Sequence, residues 1–299
     1  MLQGALFFFM RRLRSLVVGL PAVLALRLAA GSESFEVPLE ITDYPLPYIQ
    51  VTIAGRDYRA SIDTGSFRSV EISSTLAREL KIPLEATTTV ARRHGGKEFP
   101  LQKGRIASLR IGAWEGKDVE IDVAEGDIEA IAAQVKTPFD VILGWGFLGR
   151  LPFQVDYPDK KLCWGATPSA KPGSIVIAFE VANRVPVVDG QVDGRSLRFL
   201  FDTGAPICLL GPTSAPGVGI NARTKGTLRL AEREFPLDFR VKELASRNFS
   251  GVIGNNFLLD YVITFDPAKK LIRLDRSTSA ASPRRRSRKK LGETVPADA

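Results

Sequence analysis

The chain has 299 residues, 44% of them hydrophobic and 25% charged, enough for one large or two medium domains of ordinary globular composition. A single His (His94) and two Cys (Cys163, Cys208) mean that a Ser-His-Asp triad or a Cys-His pair would have to use His94, and they leave a His/Cys zinc site short of ligands. Any hydrolytic chemistry must therefore rest mainly on carboxylates. The formal net charge of +8 sits at the two ends, +4 in residues 1–31 and +4 in residues 277–299, so the body is neutral and its charge gives no argument for nucleic acid.

In chain order, Arg11, Arg12 and Arg14 precede an apolar run at 16–26 and small residues at Ala29, Ala30 and Gly31. This pattern predicts an export signal over 1–31, with its cleanest start at Met10, or an N-terminal anchor if it is not removed. The expected location is the periplasm or the secreted space. Short strands follow at 49–53 and 58–62, rich in β-branched residues and punctuated by Gly. Residues 92–99 read as a hairpin with a Gly95-Gly96 tip. A helix is predicted over 127–135, and a short helical turn near Phe147. Cys163 falls in a strand at 161–164, and 166–173 is a small, Pro-containing linker. Beyond it come strands at 197–201 and 228–241 and a helical turn near Phe257. The tail from 277 is Ser/Pro/Arg-rich and disordered in expectation. The two thiols are expected to be buried and unpaired rather than bridged.

An internal repeat organises these elements. At an offset of 139, Val37 falls on Val176, Pro47 on Pro186, Gly55 on Gly194 and Arg59 on Arg198, and Asp63-Thr64-Gly65 falls on Asp202-Thr203-Gly204. At an offset of 110, Gly144 meets Gly254, Phe147-Leu148 meets Phe257-Leu258 and Asp156 meets Asp266. The body thus divides into a first lobe at 35–165 and a second at 174–276, both all-β with minor helix.

Each lobe ends a hydrophobic strand on Asp-Thr-Gly, Asp63 to Gly65 and Asp202 to Gly204, and later carries two aliphatic residues and a Gly, Ile142-Leu143-Gly144 and Val252-Ile253-Gly254. A lone Asp-Thr-Gly reads as a turn after a strand; two in repeat register, each with its downstream partner, do not. This chain resembles the aspartic proteases, in particular a tandem retropepsin-like enzyme of bacterial type. The resemblance implies a bilobal, pepsin-like architecture of two fused retropepsin-like β-barrel lobes in one monomeric chain. It also implies a dyad of Asp63 and Asp202 at the lobe interface. Two carboxylates held close cannot both ionise, so one keeps a proton and serves as acid while the other activates water.

The same resemblance assigns Thr64, Gly65, Ser66, Thr203, Gly204 and Ala205 to support of the two loops. The Thr hydroxyls would bond across the interface, and Ser66 would be an outer hydroxyl bonded to a catalytic carboxylate. Ala205 lacks that hydroxyl, as in the retroviral version. Asp63 is 45 residues from Ser108 whereas Asp202 is 25 from the matching Thr227, so the first lobe carries an insertion containing the 92–99 hairpin. That is the position of a substrate flap, with His94, Gly95 and Gly96 at its tip; an ordinary exposed loop is the plainer reading. The stretch lacks the pepsin-type flap Tyr. Trp145 stands where retroviral enzymes carry Arg, and Asn255 is its counterpart; Trp145 reads as packing.

The implied function is an aspartic endopeptidase acting on an extended polypeptide, with neither metal nor organic cofactor. A non-catalytic peptide-binding or envelope-associated protein on the same fold is the alternative. The basic tail at 284–290 offers at most a weak contact with membrane or cell wall, and it lacks the interleaved aromatics that stack on nucleic-acid bases.

Overall fold

A computed structural model of the chain describes residues 34–93, 97–165 and 172–276. The expected signal or anchor (1–31), the three tip residues His94, Gly95 and Gly96, most of the expected linker and the basic tail lie outside the described residues. Strands account for 54% of the described residues and helices for 11%, arranged as two closed six-stranded barrels, so the fold is the expected bilobal all-β one.

Both lobes begin with the same hairpin, built by the same local chemistry. In the first, Pro47–Ile53 pairs antiparallel with Arg56–Asp63. In the second, Val185–Val192 pairs with Arg195–Phe201. The connecting pairs Ala54-Gly55 and Asp193-Gly194 all have positive φ (50°, 77°, 49° and 81°), the geometry of two-residue hairpin turns. The repeated Gly at each second position meets that requirement. Each returning strand becomes central, pairing in parallel with Val141–Gly144 or Gly251–Ile253. Accordingly its last residues are buried on both faces and read as a continuous apolar run, Ala60 to Ile62 broken only by Ser61, and Phe199 to Phe201.

The lobes share one sheet. Phe35–Pro38, Lys161–Trp164 and Phe153–Asp156 from the first half continue into Tyr261–Asp266, Leu271–Arg276 and Ile175–Ala182 from the second. Along the seam Phe153 stacks on Phe265 with ring centroids 4.4 Å apart, and the Trp145 ring packs edge-on against Phe153, Phe179 and Phe265. Trp145 is therefore an inter-lobe packing residue, as its sequence position suggests.

The expected helices form over Asp127–Val135, Trp145–Leu148 and Asn255–Leu258, another forms over Ser74–Glu79, and both cysteines are buried and free. One expected element differs. Residues 228–241 are not one strand but parts of a hairpin, Arg223–Leu230 with Arg233–Val241, turning at Ala231-Glu232. The turn carries no Gly, Pro, Asn or Asp; its mark is four exposed residues, 231–234, across which the buried positions pass from Leu228 and Leu230 to Phe235 and Leu237.

Candidate active site

The two Asp-Thr-Gly turns meet back to back, and their contacts are reciprocal. The Thr64 amide donates to the Thr203 hydroxyl and the Thr203 amide donates to the Thr64 hydroxyl, both at 3.0 Å. Each hydroxyl then donates to a carbonyl of the opposite strand, Thr64 to Phe201 and Thr203 to Ile62, both at 2.7 Å. Both threonines are fully buried, so these four bonds satisfy groups that no water reaches. The hydroxyl roles expected of Thr64 and Thr203 are those seen.

Gly65 and Gly204 are dictated by close approach. A Cβ on Gly65 would lie 2.4–2.6 Å from the Asp202 carboxyl atoms, and one on Gly204 would lie 2.4–2.7 Å from those of Asp63. Each carboxyl is thus seated over the opposite turn. Asp63 Oδ1 accepts the amides of Gly65 and Ser66 at 2.9 Å each, and Asp202 Oδ1 accepts that of Gly204 at 2.7 Å. The downstream glycines lock the turns from behind: Trp145 donates its amide to the Ser66 carbonyl at 2.7 Å, and its counterpart Asn255 donates to the Ala205 carbonyl at 2.8 Å.

Burial first, and then the neighbouring Asp202 charge, push the Asp63 carboxyl up to about 7, against the opposing pull of Arg93. Asp63 is therefore a group that keeps a proton well above the ordinary carboxylate range.

A charge cluster that sequence reasoning missed surrounds Asp63. Glu71 and Asp127 are each 1% exposed and Arg68 is 5% exposed. Arg93, at the turn end of the 85–111 hairpin, grips Asp127 with Nε 3.1 Å from both carboxylate oxygens and Nη2 2.6 Å from Oδ2. It also lies 3.8 Å from Glu71 and 3.9 Å from Asp63. Arg68 Nη2 pairs with Glu71 at 2.5 Å. In the sequence these residues are scattered ionisable groups with no shared spacing, and only the fold gathers them. A buried Asp at the first position of a helix and a charged residue in the apolar strand Val70–Ile72 were the available hints.

One expected contact is corrected. The Ser66 hydroxyl donates to Glu71 at 2.7 Å, and it is the Ser66 amide that donates to Asp63. The buried Glu71 carboxylate is an acceptor fixed within reach of that hydroxyl, and Asp63 Oδ1 is already served by two amides. A second missed connection joins the lobes: the Tyr157 hydroxyl donates to Asn255 Oδ1 and Asn255 Nδ2 donates to the Thr203 carbonyl, both at 2.7 Å. Asn255 thus occupies the site where an ion pair is absent, as a neutral bridge. Burial, and then the Asp202 charge, hold the Tyr157 phenol well above its ordinary pKa, so it stays a donor.

Both aspartates open into a cleft of about 830 Å³ lined from both lobes. Leu46, Phe139 and Ile142 form apolar wall on the first-lobe side, and Leu200, Leu209 and Phe249 on the second. Residues flanking the hairpin tip, among them Val90, Arg93, Lys97 and Phe99, also line it. The antiparallel strands Glu85–Arg92 and Glu98–Ile111 pair up to Arg92 and Glu98, so the expected hairpin exists. It is an addition at the sheet edge that the second lobe lacks. Ala205 also lines the cleft, and its methyl group offers no hydrogen bond. Among the described residues no group of His, Cys, Asp and Glu is arranged to hold a metal ion.

Comparison with known proteins gives one family: residues 49–147 match the aspartyl protease family model. The match spans most of the first lobe, from the first hairpin through Asp63 to the helical turn after Gly144, and it supports peptidase activity in general terms. No curated protein matches the chain significantly. The second lobe carries the second Asp-Thr-Gly turn, which meets that of the first in reciprocal contacts. That family match and the two barrel-like lobes are consistent with a retropepsin-like aspartic protease.

Proposed function

We propose that the protein is an aspartic endopeptidase that hydrolyses peptide bonds of extended polypeptides with Asp63 and Asp202 as its catalytic pair. The observation that carries this reading is the reciprocal seating of each carboxyl over the opposite Gly, at the floor of a cleft lined from both lobes. A purely binding cleft has no use for two buried carboxyls pressed together, because their repulsion costs free energy that binding does not recover.

Asp63 carries the proton and Asp202 is the base. Water held between them attacks the scissile carbonyl carbon, passing one proton to Asp202 as the new C–O bond forms. Asp63 gives its proton to the carbonyl oxygen, producing a gem-diol. On collapse the C–N bond breaks, the amine nitrogen takes a proton from Asp202 and a diol hydroxyl returns one to Asp63. The pair ends with one shared proton, as it began. Buried Thr64 and Thr203 hold the carboxyls in place, so little reorganisation accompanies the step. The hairpin bearing His94, Gly95 and Gly96 covers bound substrate. One chain supplies both aspartates, so a monomer suffices, and the sequence at 10–31 supports action outside the cytoplasm.

The test is cleavage of an unfolded protein mixture from acid to neutral pH by the mature chain, by Asp63→Asn and by Asp202→Asn. Loss in both variants supports the dyad. Equal cleavage by all three would overturn it, and no cleavage by the wild type at any pH would favour a peptide-binding protein on this fold.

A further inference from the structure

The proposed chemistry leaves the buried cluster beside Asp63 without a task. Arg68, Glu71, Arg93 and Asp127 come from four separate places: the turn after Asp63, the strand Val70–Ile72, the turn end of the hairpin and the helix Asp127–Val135. Two cations and two anions balance, so the cluster adds no net charge. Burying ion pairs is costly unless geometry is good and the remaining donors are served, so three buried charges and a fourth that is three-quarters buried are a poor way to gain stability alone. Their arrangement is also directional. Arg68 lies against Glu71 at 2.5 Å and Asp127 at 3.9 Å, whereas Arg93 spans Asp127, Glu71 and Asp63.

We infer that Arg93 is a positioning residue of the catalytic centre, pinning the turn end of the hairpin through Asp127 while presenting the cation that faces Asp63. The inference rests on the endopeptidase reading for its consequence in turnover, but not for the two physical effects it asserts. First, the hairpin is tied down at its turn end. The Arg93 amide closes the hairpin on the Lys97 carbonyl at 2.9 Å, and its guanidinium grips Asp127 with both Nε and Nη2, a geometry that a Lys ammonium does not reproduce. Second, the charges around Asp63 are set. Asp202 faces it from the second-lobe turn and Glu71 from the neighbouring strand, both negative; Arg93 faces it from the hairpin, positive, and the amides of Gly65 and Ser66 donate from its own turn. Arg68 and Asp127 stand behind, paired to Glu71 and Arg93. Removing Arg93 takes away the cation and exposes Asp63 to the two anions, so Asp63 must hold its proton to higher pH. A hairpin that shifted to admit substrate would carry this cation with it, linking position over the cleft to proton affinity beneath.

The experiment compares wild type, Arg93→Gln, Arg93→Lys and Asp127→Asn by three readouts: carbon-detected NMR titration of the Asp63 carboxyl, assigned by its loss in Asp63→Asn; amide hydrogen exchange in 85–92 and 98–105; and the pH profile of casein cleavage. In Arg93→Gln the Asp63 titration should rise by about 1 pH unit or more, the hairpin amides should exchange faster, and the cleavage profile should move to higher pH by a like amount. Arg93→Lys should restore the titration but not the exchange protection. Asp127→Asn should loosen the hairpin while Arg93 keeps its charge. An unmoved Asp63 titration with unchanged exchange in Arg93→Gln overturns the inference. If that variant does not fold, unchanged hairpin exchange in both Arg93→Lys and Asp127→Asn overturns it instead. Absence of cleavage by the wild type defeats the endopeptidase reading alone, because titration and exchange still decide the role of Arg93.

Discussion

Gln154 and Thr264 occupy equivalent positions of the two repeats, 110 residues apart, and are bonded to each other: Gln154 Nε2 donates to Thr264 Oγ1 at 2.9 Å in the strand pair that joins the lobes. A repeat whose equivalent residues pair with one another has its pseudo-twofold axis between them. Thr64 and Thr203, 139 residues apart, mark the same axis at the other end of the interface. The lobes are thus fastened as the two halves of a symmetric dimer would be, within one chain.

That fastening makes the threonine contacts structural as well as catalytic. Thr64→Val keeps the side-chain shape but orphans the Thr203 amide and the Phe201 carbonyl, each worth about 1–3 kcal/mol when buried and unpaired. Denaturant unfolding should show a loss of that size for Thr64→Val and for Thr203→Val. The double variant should lose less than the sum, since both changes break the same network. A loss below ~0.5 kcal/mol in each single variant would contradict the buried bonding.

The reciprocal Gly contacts predict a sharper effect. A methyl group at residue 65 meets the Asp202 carboxyl, and one at residue 204 meets that of Asp63, at distances no real Cβ tolerates. Gly65→Ala and Gly204→Ala should each cut kcat by at least ~100-fold while KM changes little, because a displacement of the carboxyls by about 1 Å misplaces the reacting groups. Activity near wild type in either variant would mean that the carboxyls do not sit over the opposite turns during turnover.

Asp63 also has a consequence for stability. Its pKa rises from 3.8 unfolded to about 7 folded, so between those values the unfolded chain releases a proton that the native one keeps. Native stability therefore falls as pH climbs from about 4 to 7, relative to a chain lacking this group, and is level beyond. Asp63→Asn should be more stable than wild type at pH 7.5, on the order of 1–3 kcal/mol, and the gain should shrink toward pH 4. A gain independent of pH would show that Asp63 does not keep its proton.

Much of this architecture was legible because the repeat compares the chain with itself. Gly55 and Gly194, the two Asp-Thr-Gly turns and Gly144 with Gly254 each answer a backbone demand that recurs in both lobes, so chance matches drop out. The helix Asp127–Val135 and the hairpin ending at Arg92 and Glu98 carry local signals and form as expected. What stayed hidden depends on contacts between residues distant in sequence. The turn at Ala231 and Glu232 has no turn residues, the Tyr157–Asn255 bridge crosses lobes, and the Arg93 cluster gathers four separate elements. The Ser66 expectation failed for a different reason: its hydroxyl goes to Glu71, only five residues on but a residue that the repeat does not duplicate.

The Ser66 contact makes Glu71 the more consequential of the two. Ser66→Ala removes one bond to Glu71 but leaves the amide bonds to Asp63, so the pH profile should hold its position with a loss of about 1 kcal/mol in stability. Glu71→Gln removes an anion that raises the Asp63 pKa and leaves Arg68 without its closest carboxylate. The alkaline limb of the cleavage profile, where Asp63 loses its proton, should then move to lower pH, and unfolding should come about 3–5 kcal/mol earlier, the cost of an uncompensated buried charge. A profile that moved with Ser66→Ala and stayed fixed with Glu71→Gln would return the Ser66 hydroxyl to Asp63.

The thiols offer a test of the core in each lobe. Burial, together with the nearby Glu36 carboxylate, pushes Cys163 up to about 11, and burial pushes Cys208 up to about 12, so neither forms thiolate near neutrality. Cys208 is fully buried behind the second turn, donating its amide to Asn256 Oδ1 at 2.7 Å, while Cys163 lies in the inter-lobe sheet. A thiol reagent such as dithionitrobenzoate should therefore react with neither residue in the native protein at pH 8 and with both in denaturant. Because the two probes sit in different parts of the fold, their rates in intermediate denaturant also report whether the second lobe opens alone. Cys208 reacting well before Cys163 would show independent opening, whereas equal rates are expected of lobes that share one sheet and unfold together.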